Sequence, residues 1–297
     1  AVRGVGHYLP DRVVPNAEFE EIVETSDEWI KSRSGIERRH FAAEGQMTSD
    51  LAARAARAAL ADAGIDASTI DAIIVATSTP DLTFPSAASM VQAQLGMTRG
   101  FAFDVQAVCA GFIYALVNAN ALILSGQAGR VLVIGAETFS RILDWSDRST
   151  CVLFGDGAGA VVLEKAEGDG SVADRGILSS DLHSDGTYRD LLYVDGGVST
   201  TGTAGVLKMQ GNAVFRHAVE KLADTAHTAL AKVGLSGDDV DWIVPHQANL
   251  RIISATAQRM GVPMDRVVVT VQEHGNTSAA SIPLALSVGK SRGQIKP

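Results

Sequence analysis

Leu51-Ala52-Ala53-Arg54-Ala55-Ala56-Arg57-Ala58-Ala59-Leu60-Ala61-Asp62-Ala63-Gly64-Ile65, and after it Ile70-Asp71-Ala72-Ile73-Ile74-Val75-Ala76, are the stretches that decide the fold class. In the first, Leu51, Ala52, Ala55, Ala56, Ala59, Leu60 and Ala63 share one face at helical spacing, while Arg54, Arg57 and Asp62 lie elsewhere. That pattern predicts an amphipathic helix, capped by Thr48, Ser49 or Asp50 and stopped by Gly64. Ala72–Ala76 is a short continuous apolar run, the signature of a strand buried on both faces. A helix leading into a buried strand points to an α/β protein.

The same grammar returns near the other end of the chain. Val214–Val233 reads as a helix, Gly234 as its stop and residues 240–244 as a strand, and the two stretches align without a gap at an offset of 170 residues. Ala59-Leu60-Ala61 then faces Ala229-Leu230-Ala231, Gly64 faces Gly234, and Ile73-Ile74 faces Ile243-Val244. Leu95-Gly96 matches Met260-Gly261 at an offset of 165, each followed by an apolar strand, around residues 101–105 and 267–271. Helix–glycine–strand units resemble one another in any α/β protein, but agreement over a gapless stretch favours a duplicated unit. The expected division is an N-terminal half, residues 1–165, and a C-terminal half, residues 166–297, packed on one core. Residues 168–176 and 195–205, rich in Gly, Asp, Ser and Thr, read as surface loops.

With 297 residues and 46% hydrophobic content, the chain is long enough for a large core and too apolar to be disordered. Its 25 Lys and Arg against 34 Asp and Glu leave a net charge of −9, the wrong sign for nucleic-acid binding. Two cysteines, Cys109 and Cys151, argue against a disulfide framework or a multi-cysteine metal site and fit a reducing cytoplasm. No apolar run is long enough to span a membrane, and the first residues lack a signal-peptide pattern.

Cys109 lies where the strand ending in Phe103-Asp104-Val105 gives way to a helix running through Tyr114, Leu116 and Asn120. A thiol at a helix N-terminus feels the positive end of the macrodipole, which favours the thiolate, and Ala110 and Gly111 leave room for a substrate. Taken alone, the residue also fits a buried structural cysteine. His246 follows its expected strand through Pro245, where functional groups of open α/β sheets collect, and Asn276 lies between a strand and a helix. The duplication brings the Cys109 and Asn276 loops to one cleft. Phe154-Gly155-Asp156-Gly157-Ala158-Gly159-Ala160 is followed at once by the apolar run Val161-Val162-Leu163, so it lacks the helix a dinucleotide fingerprint needs and reads as a tight turn allowing close packing. Cys151 and His274 read as structural.

At these residues the chain resembles the β-ketoacyl-acyl-carrier-protein synthase III family of the thiolase-like superfamily. The resemblance rests on Gly4-Val5-Gly6-His7-Tyr8-Leu9-Pro10, Asp27-Glu28-Trp29-Ile30 with Arg33-Ser34-Gly35-Ile36, Val108-Cys109-Ala110-Gly111-Phe112, Leu153–Ala160, Pro245-His246-Gln247-Ala248-Asn249 and Gly275-Asn276-Thr277-Ser278. It implies a thiolase-like α/β fold of duplicated halves in five αβαβα layers. It also implies an acyltransferase in which Cys109 takes a short acyl primer, acetyl or another, from coenzyme A. Decarboxylative condensation with malonyl-acyl carrier protein follows, with His246 and Asn276 stabilising the enolate. A synthase-III-like acyltransferase of secondary metabolism is the alternative; a Cys–His–Asn thiol hydrolase and a noncatalytic scaffold fit less well.

The resemblance further implies a coenzyme A site with Trp29 and Arg148 on either side of the adenine, Arg33 toward the phosphates, and Asn212 and Asn249 along the pantetheine arm; Trp29 by itself would equally fit a core aromatic. Acyl-coenzyme A is then a substrate, with no metal and no permanently bound cofactor. Phe84 and Leu143 are expected at the acyl pocket, Phe84 reaching a neighbouring subunit's pocket in a homodimer. An acidic carrier protein meeting a chain of charge −9 needs a local basic patch. Gln247, Ala248, Asn249, Leu250 and Arg251, with Arg216, Lys221 and Arg259 on flanking helices, are the candidates, although Lys221 equally fits a solvated helix face. The family ordinarily continues into a glycine-rich loop and final strands that supply a backbone N–H opposite that of Cys109, so the sequence is expected to be the ordered part of a longer protein.

Overall fold

The computed structural model describes residues 1–296. The chain opens with strand β1 (Val2–Tyr8), followed by β2 (Arg12–Pro15), the single turn α1 (Ala17–Glu20), helix α2 (Asp27–Ser34) and β3 (Arg38–Phe41). Helix α3 (Thr48–Ala63) leads into β4 (Ala72–Ala76), then α4 (Ala87–Gln94), β5 (Phe101–Val105), α5 (Gly111–Leu124), β6 (Arg130–Glu137) and β7 (Gly157–Glu164). The remainder carries β8 (Leu192–Val194), β9 (Leu207–Met209), the long helix α6 (Gly211–Ala231), α7 (Leu250–Arg259), the short α8 (Val271–His274) and α9 (Ser281–Ser291).

One five-stranded sheet, in the order β1-β7-β6-β4-β5, organises the first half. β4 runs parallel to both β5 and β6, which is why Ala72–Ala76 is buried at every position. The α3 face expected from its spacing lies on this sheet, with Leu51, Ala52, Ala55, Ala56 and Ala59 fully buried. Its cap is one residue earlier than expected: Met47 is the N-cap, and the Asp50 carboxylate accepts the Met47 N–H at 2.9 Å. The glycines of the 154–160 segment do not form a tight turn. Gly157 and Gly159 lie inside β7, and a Cβ on Gly159 would strike the Leu284 backbone, so the lack of a side chain lets α9 seat on the sheet.

The repeat is visible in local geometry. Gly64 and Gly234 end their helices with φ of 64° and 72°, and Gly96 and Gly261 adopt 69° and 73°. A 3₁₀ turn follows each of the first pair, at Ala67–Thr69 and Gly237–Asp239. The expected strands at 240–244 and 267–271 are different. They meet in a single parallel bridge, Ile243 with Val267, held by the Ile243 N–H to the Arg266 carbonyl at 2.8 Å and the Val268 N–H to the Ile243 carbonyl at 2.9 Å. A buried strand needs strand neighbours along its length; among the described residues this one bridge is the only strand pairing either segment has, and Val271–His274 is helical instead. The five layers expected from the resemblance are therefore represented here by one complete sheet, the helices on its two faces, and this bridge.

Candidate active site

Three chain segments converge at the ends of the parallel strands. Cys109 lies in the turn after β5, in a 3₁₀ segment Val108–Ala110 that precedes α5. Val108, just before it, has φ of +48°, an uncommon conformation for a β-branched residue that turns the chain sharply into the cleft. The Cys109 thiol donates to the Ser278 hydroxyl at 3.6 Å. Ser278 itself has φ of +49°, and its N–H donates to Asn276 Oδ1 at 2.9 Å. With Oδ1 so engaged, the Asn276 amide has its NH₂ group left for the cleft that it lines. The backbone of Asn276 is pinned in turn, its N–H to the Leu153 carbonyl and its carbonyl to the Gly155 N–H.

His246 Nδ1 lies 2.6 Å from Ser281 Oγ, at the start of α9. The same hydroxyl oxygen accepts the Gln247 N–H at 3.2 Å. Among the described residues Ser281 has no acceptor for its own proton other than His246 Nδ1, so the hydroxyl donates to the ring and the ring proton resides on Nε2. Burial lowers the His246 pKa to about 4, so the imidazole is neutral and presents an Nε2–H donor. Cys109, His246 and Asn276 all line one cleft, bounded also by Phe139, Ile142 and Phe154.

The electrostatics of the thiol depart from the helix-terminus expectation. Burial pushes the Cys109 thiol up to about 11, with Glu137 adding to the rise and the Ser278 hydrogen bond opposing it. A macrodipole contributes roughly 0.3–1 kcal/mol, less than the about 1.4 kcal/mol that moves a pKa by one, and it fades outside the first helical turn. Cys109 stands one residue before the N-cap, Ala110. Desolvation wins, and the unacylated nucleophile rests as a thiol.

Glu137, at the end of β6, is a buried titratable group near Cys109 that sequence reasoning missed. It is fully buried, accepts the Thr79 hydroxyl at 2.6 Å and the Ser78 N–H at 3.1 Å, and burial raises its pKa to about 7. Its signal was a lone carboxylate ending the apolar run Val131–Ala136, at the carboxyl end of a strand, where functional groups gather. Ser278 and Ser281 carried no comparable signal, since each acts only through a partner distant in sequence.

The expected coenzyme A residues are partly assembled. Trp29 and Arg33 line the cleft, as do Asn212 and Asn249; the Asn249 side chain also caps α7 by accepting the Ile252 N–H at 2.9 Å. Arg148 lies on Trp29 itself, its guanidinium 5.1 Å from the ring centroid, and donates to the Glu24 carbonyl at 2.7 Å. A purine between the two needs about twice the ~3.5 Å contact distance, so Arg148 must swing off Trp29 for the expected sandwich to form.

Several other expectations are corrected. Gln247 is 1% exposed and has both ends of its amide committed to backbone at Pro245, Val268, Thr270 and Val271, so it holds the loop in place instead of facing a partner. Leu250 is half-buried against the α2 region, whereas Ala248 lines the cleft. Arg251 and Arg216 are exposed, and the Arg251 guanidinium sits 5.1 Å from the Phe215 ring centroid. Arg259 pairs with Asp224 at 3.5 Å, whereas among the described residues Arg251, Arg216 and Lys221 form no salt bridge. Leu143 is 3% exposed and packs behind the wall, which Phe139 and Ile142 form; Phe84 is 82% exposed. Cys151 and His274 are buried, as a structural role requires.

The descriptions of two family models match: 3-oxoacyl-[acyl-carrier-protein] synthase III over residues 103–186, and its C-terminal counterpart over residues 230–297. The chain is 81% identical over 295 residues to a β-ketoacyl-[acyl-carrier-protein] synthase III of Cereibacter sphaeroides, covering 99% of this chain and 91% of that protein. It is 79% identical over the same length, with the same shares covered, to the enzyme of that name from Ruegeria pomeroyi. Among solved structures, 3-oxoacyl-[acyl-carrier-protein] synthase III of Aquifex aeolicus superposes with a TM-score of 0.93 at 45% identity, over 99% of this chain and 92% of that one. The Thermus thermophilus enzyme gives the same score and identity over 100% and 92%.

Proposed function

The chain belongs to the β-ketoacyl-acyl-carrier-protein synthase III family of acyltransferases, whose condensation initiates fatty-acid synthesis, and we propose that Cys109, His246 and Asn276 perform that reaction here. The convergence of the three side chains on one cleft from three segments of the chain carries the assignment. The secondary-metabolism alternative finds no support among relatives at this level of identity.

The Cys109 sulfur attacks the thioester carbonyl of an acyl-coenzyme A, most simply acetyl-coenzyme A, and the coenzyme A sulfur leaves, so one hard condensation becomes two easier steps. Malonyl-acyl carrier protein then loses CO₂, and negative charge develops on its thioester oxygen. The His246 Nε2–H and the Asn276 amide donate to that oxygen, the preorganised stabilisation typical of an oxyanion hole. The resulting carbon nucleophile attacks the acyl group, a carbon–carbon bond forms and the Cys109 sulfur leaves. A neutral His246 suits this role, because a donor is needed while the charge is still developing on the substrate.

Trp29, Arg33, Asn212 and Asn249 bind the coenzyme A arm, with Arg148 completing the adenine stack once it moves; no metal or resident cofactor enters the reaction. Arg251, Arg216 and Lys221 meet the acidic carrier protein. Exposed Phe84, Leu82 and Phe101 support a homodimer through the β5 edge of the sheet. None of the described helices is long and apolar enough to cross a membrane, and we place the protein in the cytoplasm as a chain of two halves meeting after residue 165. Incubation with acetyl-coenzyme A followed by peptide mass spectrometry tests the assignment: an acyl adduct on Cys109 is expected, and its absence overturns the mechanism.

A further inference from the structure

Arg39, on β3, is fully buried, and burial lowers its pKa only to about 10, so it remains a cation at neutral pH. Among the described residues it forms no salt bridge: Glu18, the carboxylate whose charge reaches it, is paired with Arg12 at 2.8 Å. Burying a guanidinium without an anion costs stability, and an apolar side chain of similar volume often fills such a place as well or better. Arg39 instead ties together segments that are far apart in sequence. Its Nη1 donates to the Asn16 side-chain oxygen at 2.8 Å and to the Val14 carbonyl at 3.2 Å, its Nη2 donates to the Val152 carbonyl, and the guanidinium lies 4.5 Å from the Phe19 ring centroid.

The stem of the side chain is held as closely. A Cβ on Gly155 would stand 2.9 Å from the Arg39 Cβ and one on Gly275 would stand 3.1 Å from it, so both positions must lack side chains for Arg39 to pass between them. Gly155 follows Phe154 and Gly275 precedes Asn276, and Phe154 and Asn276 form a parallel bridge. In that bridge the Asn276 N–H donates to the Leu153 carbonyl at 2.9 Å and the Gly155 N–H donates to the Asn276 carbonyl at 3.0 Å. Arg39 therefore packs against the backbone that aims the Asn276 amide, without itself lining the cleft. We infer that Arg39 is a positioning residue: by anchoring the Val152 carbonyl it fixes the Asn276 amide for the decarboxylation step.

What else holds the segment 152–156 decides the effect of losing that anchor. The Asp156 N–H donates to the His40 carbonyl at 2.8 Å, so one end stays on β3 without Arg39. At the other end the remaining bonds are local, from the Cys151 N–H to the Asp147 carbonyl and from the Leu153 N–H to the Thr150 carbonyl, and the Val152 carbonyl has no second donor among the described residues. Without Arg39 the segment can pivot about Asp156 and carry the bridged Asn276 with it. Asn16, by contrast, keeps its bonds to Asp27 and to the Ile36 carbonyl, so α2 stays in place with Trp29 and Arg33. Acylation draws on Cys109 and the coenzyme A residues, decarboxylation on Asn276, and the two steps should respond differently. This inference rests on Asn276 donating to the enolate oxygen, so its test must separate the two.

The experiment measures Cys109 acylation by acetyl-coenzyme A and decarboxylation of malonyl-acyl carrier protein separately, for the unsubstituted protein, Arg39→Met, Asn276→Ala and the double variant. Arg39→Met fills the space but donates no hydrogen bond. It is expected to acylate Cys109 at the unsubstituted rate and to decarboxylate about 10–100-fold more slowly, the scale of a displaced reacting group. On the Asn276→Ala background the same substitution should bring no further loss, because its effect passes through Asn276. Arg39→Lys keeps the stem and the charge but replaces a planar fork that reaches both Asn16 and Val152 by a single ammonium, and should show the same selective loss; it decides the question if the Met variant forms no adduct. Equal losses in both steps, an unchanged decarboxylation rate, or losses that multiply in the double variant overturn the positioning role and leave that of Asn276 standing. An Asn276→Ala protein that decarboxylates at the unsubstituted rate overturns both.

Discussion

The two repeats share their helix stops and 3₁₀ turns yet differ in what surrounds them. Around β4 the first repeat has neighbours on both edges and helices on both faces, and nine of the sixteen residues of α3 are buried. In the second, α6 has twenty-one residues and buries only Ala223, while the strand equivalent to β4 is reduced to one bridge. Local signals therefore reproduce local structure wherever they recur, but a buried strand is made by its neighbours. The first half holds Cys109 and Glu137 at the ends of its complete sheet, and the second closes the same cleft without a sheet of its own among the described residues.

The sharpest way to break that contrast is to truncate the equivalent leucines of the two helices. Leu60→Ala, in a core position 6% exposed, is expected to cost about 2–5 kcal/mol, whereas half-buried Leu230→Ala should cost about 1 kcal/mol, as read by denaturant unfolding. Equal losses would erase the distinction. A division of chemistry comes next in size. Removing His246 or Asn276, the donors of the second half, should slow malonyl decarboxylation by about 10²–10³ while affecting Cys109 acylation far less; parallel assays of the two steps would contradict the assigned roles if both fell alike.

The halves should also answer pH with opposite signs. His246 and His274 are held by burial down to about 4 and about 3 from 6.5, so between 6.5 and those values the unfolded chain binds more protons and their contribution to stability is lost as pH falls. Glu137 is raised from 4.5 to about 7, so in that window the folded state binds more protons and the region around β6 gains as pH falls. Hydrogen-exchange protection, corrected for the intrinsic rate at each pH, should fall near residues 246–274 between about pH 7.5 and pH 5, by about 2 kcal/mol of opening free energy for each histidine, and not in β6. The smallest effect concerns the surface: Arg251→Glu should weaken carrier-protein binding about tenfold, less so at high salt, and change binding far more than acylation. A salt-independent loss would remove the patch.

Much of this was legible without coordinates. The spacing of Leu51–Ala63 and the run Ala72–Ala76 named a helix and a buried strand that the structure places almost to the residue, because amphipathic period and β-run are local properties. Cys109, His246 and Asn276 were legible as motifs, and all three line one cleft. The thiol's acidity was misjudged, since a helix terminus is readable from sequence while the depth of burial that overrides it is not. Gln247 was expected to face a carrier protein with Arg251, four residues on; three of the four backbone groups that consume its amide lie more than twenty residues away.

By itself, the sequence determined the α/β class, the repeated helix–glycine units, the family and the three polar residues of the cleft, all of which depend on periodicity, turn chemistry or short motifs. Only the tertiary structure decided which repeat would complete a sheet, that Ser281 orients the His246 ring, and that a carboxylate at the end of β6 stands behind the Cys109 thiol. Those outcomes depend on burial and on partners distant along the chain, and desolvation at such contacts outweighs any signal that a local stretch of residues carries.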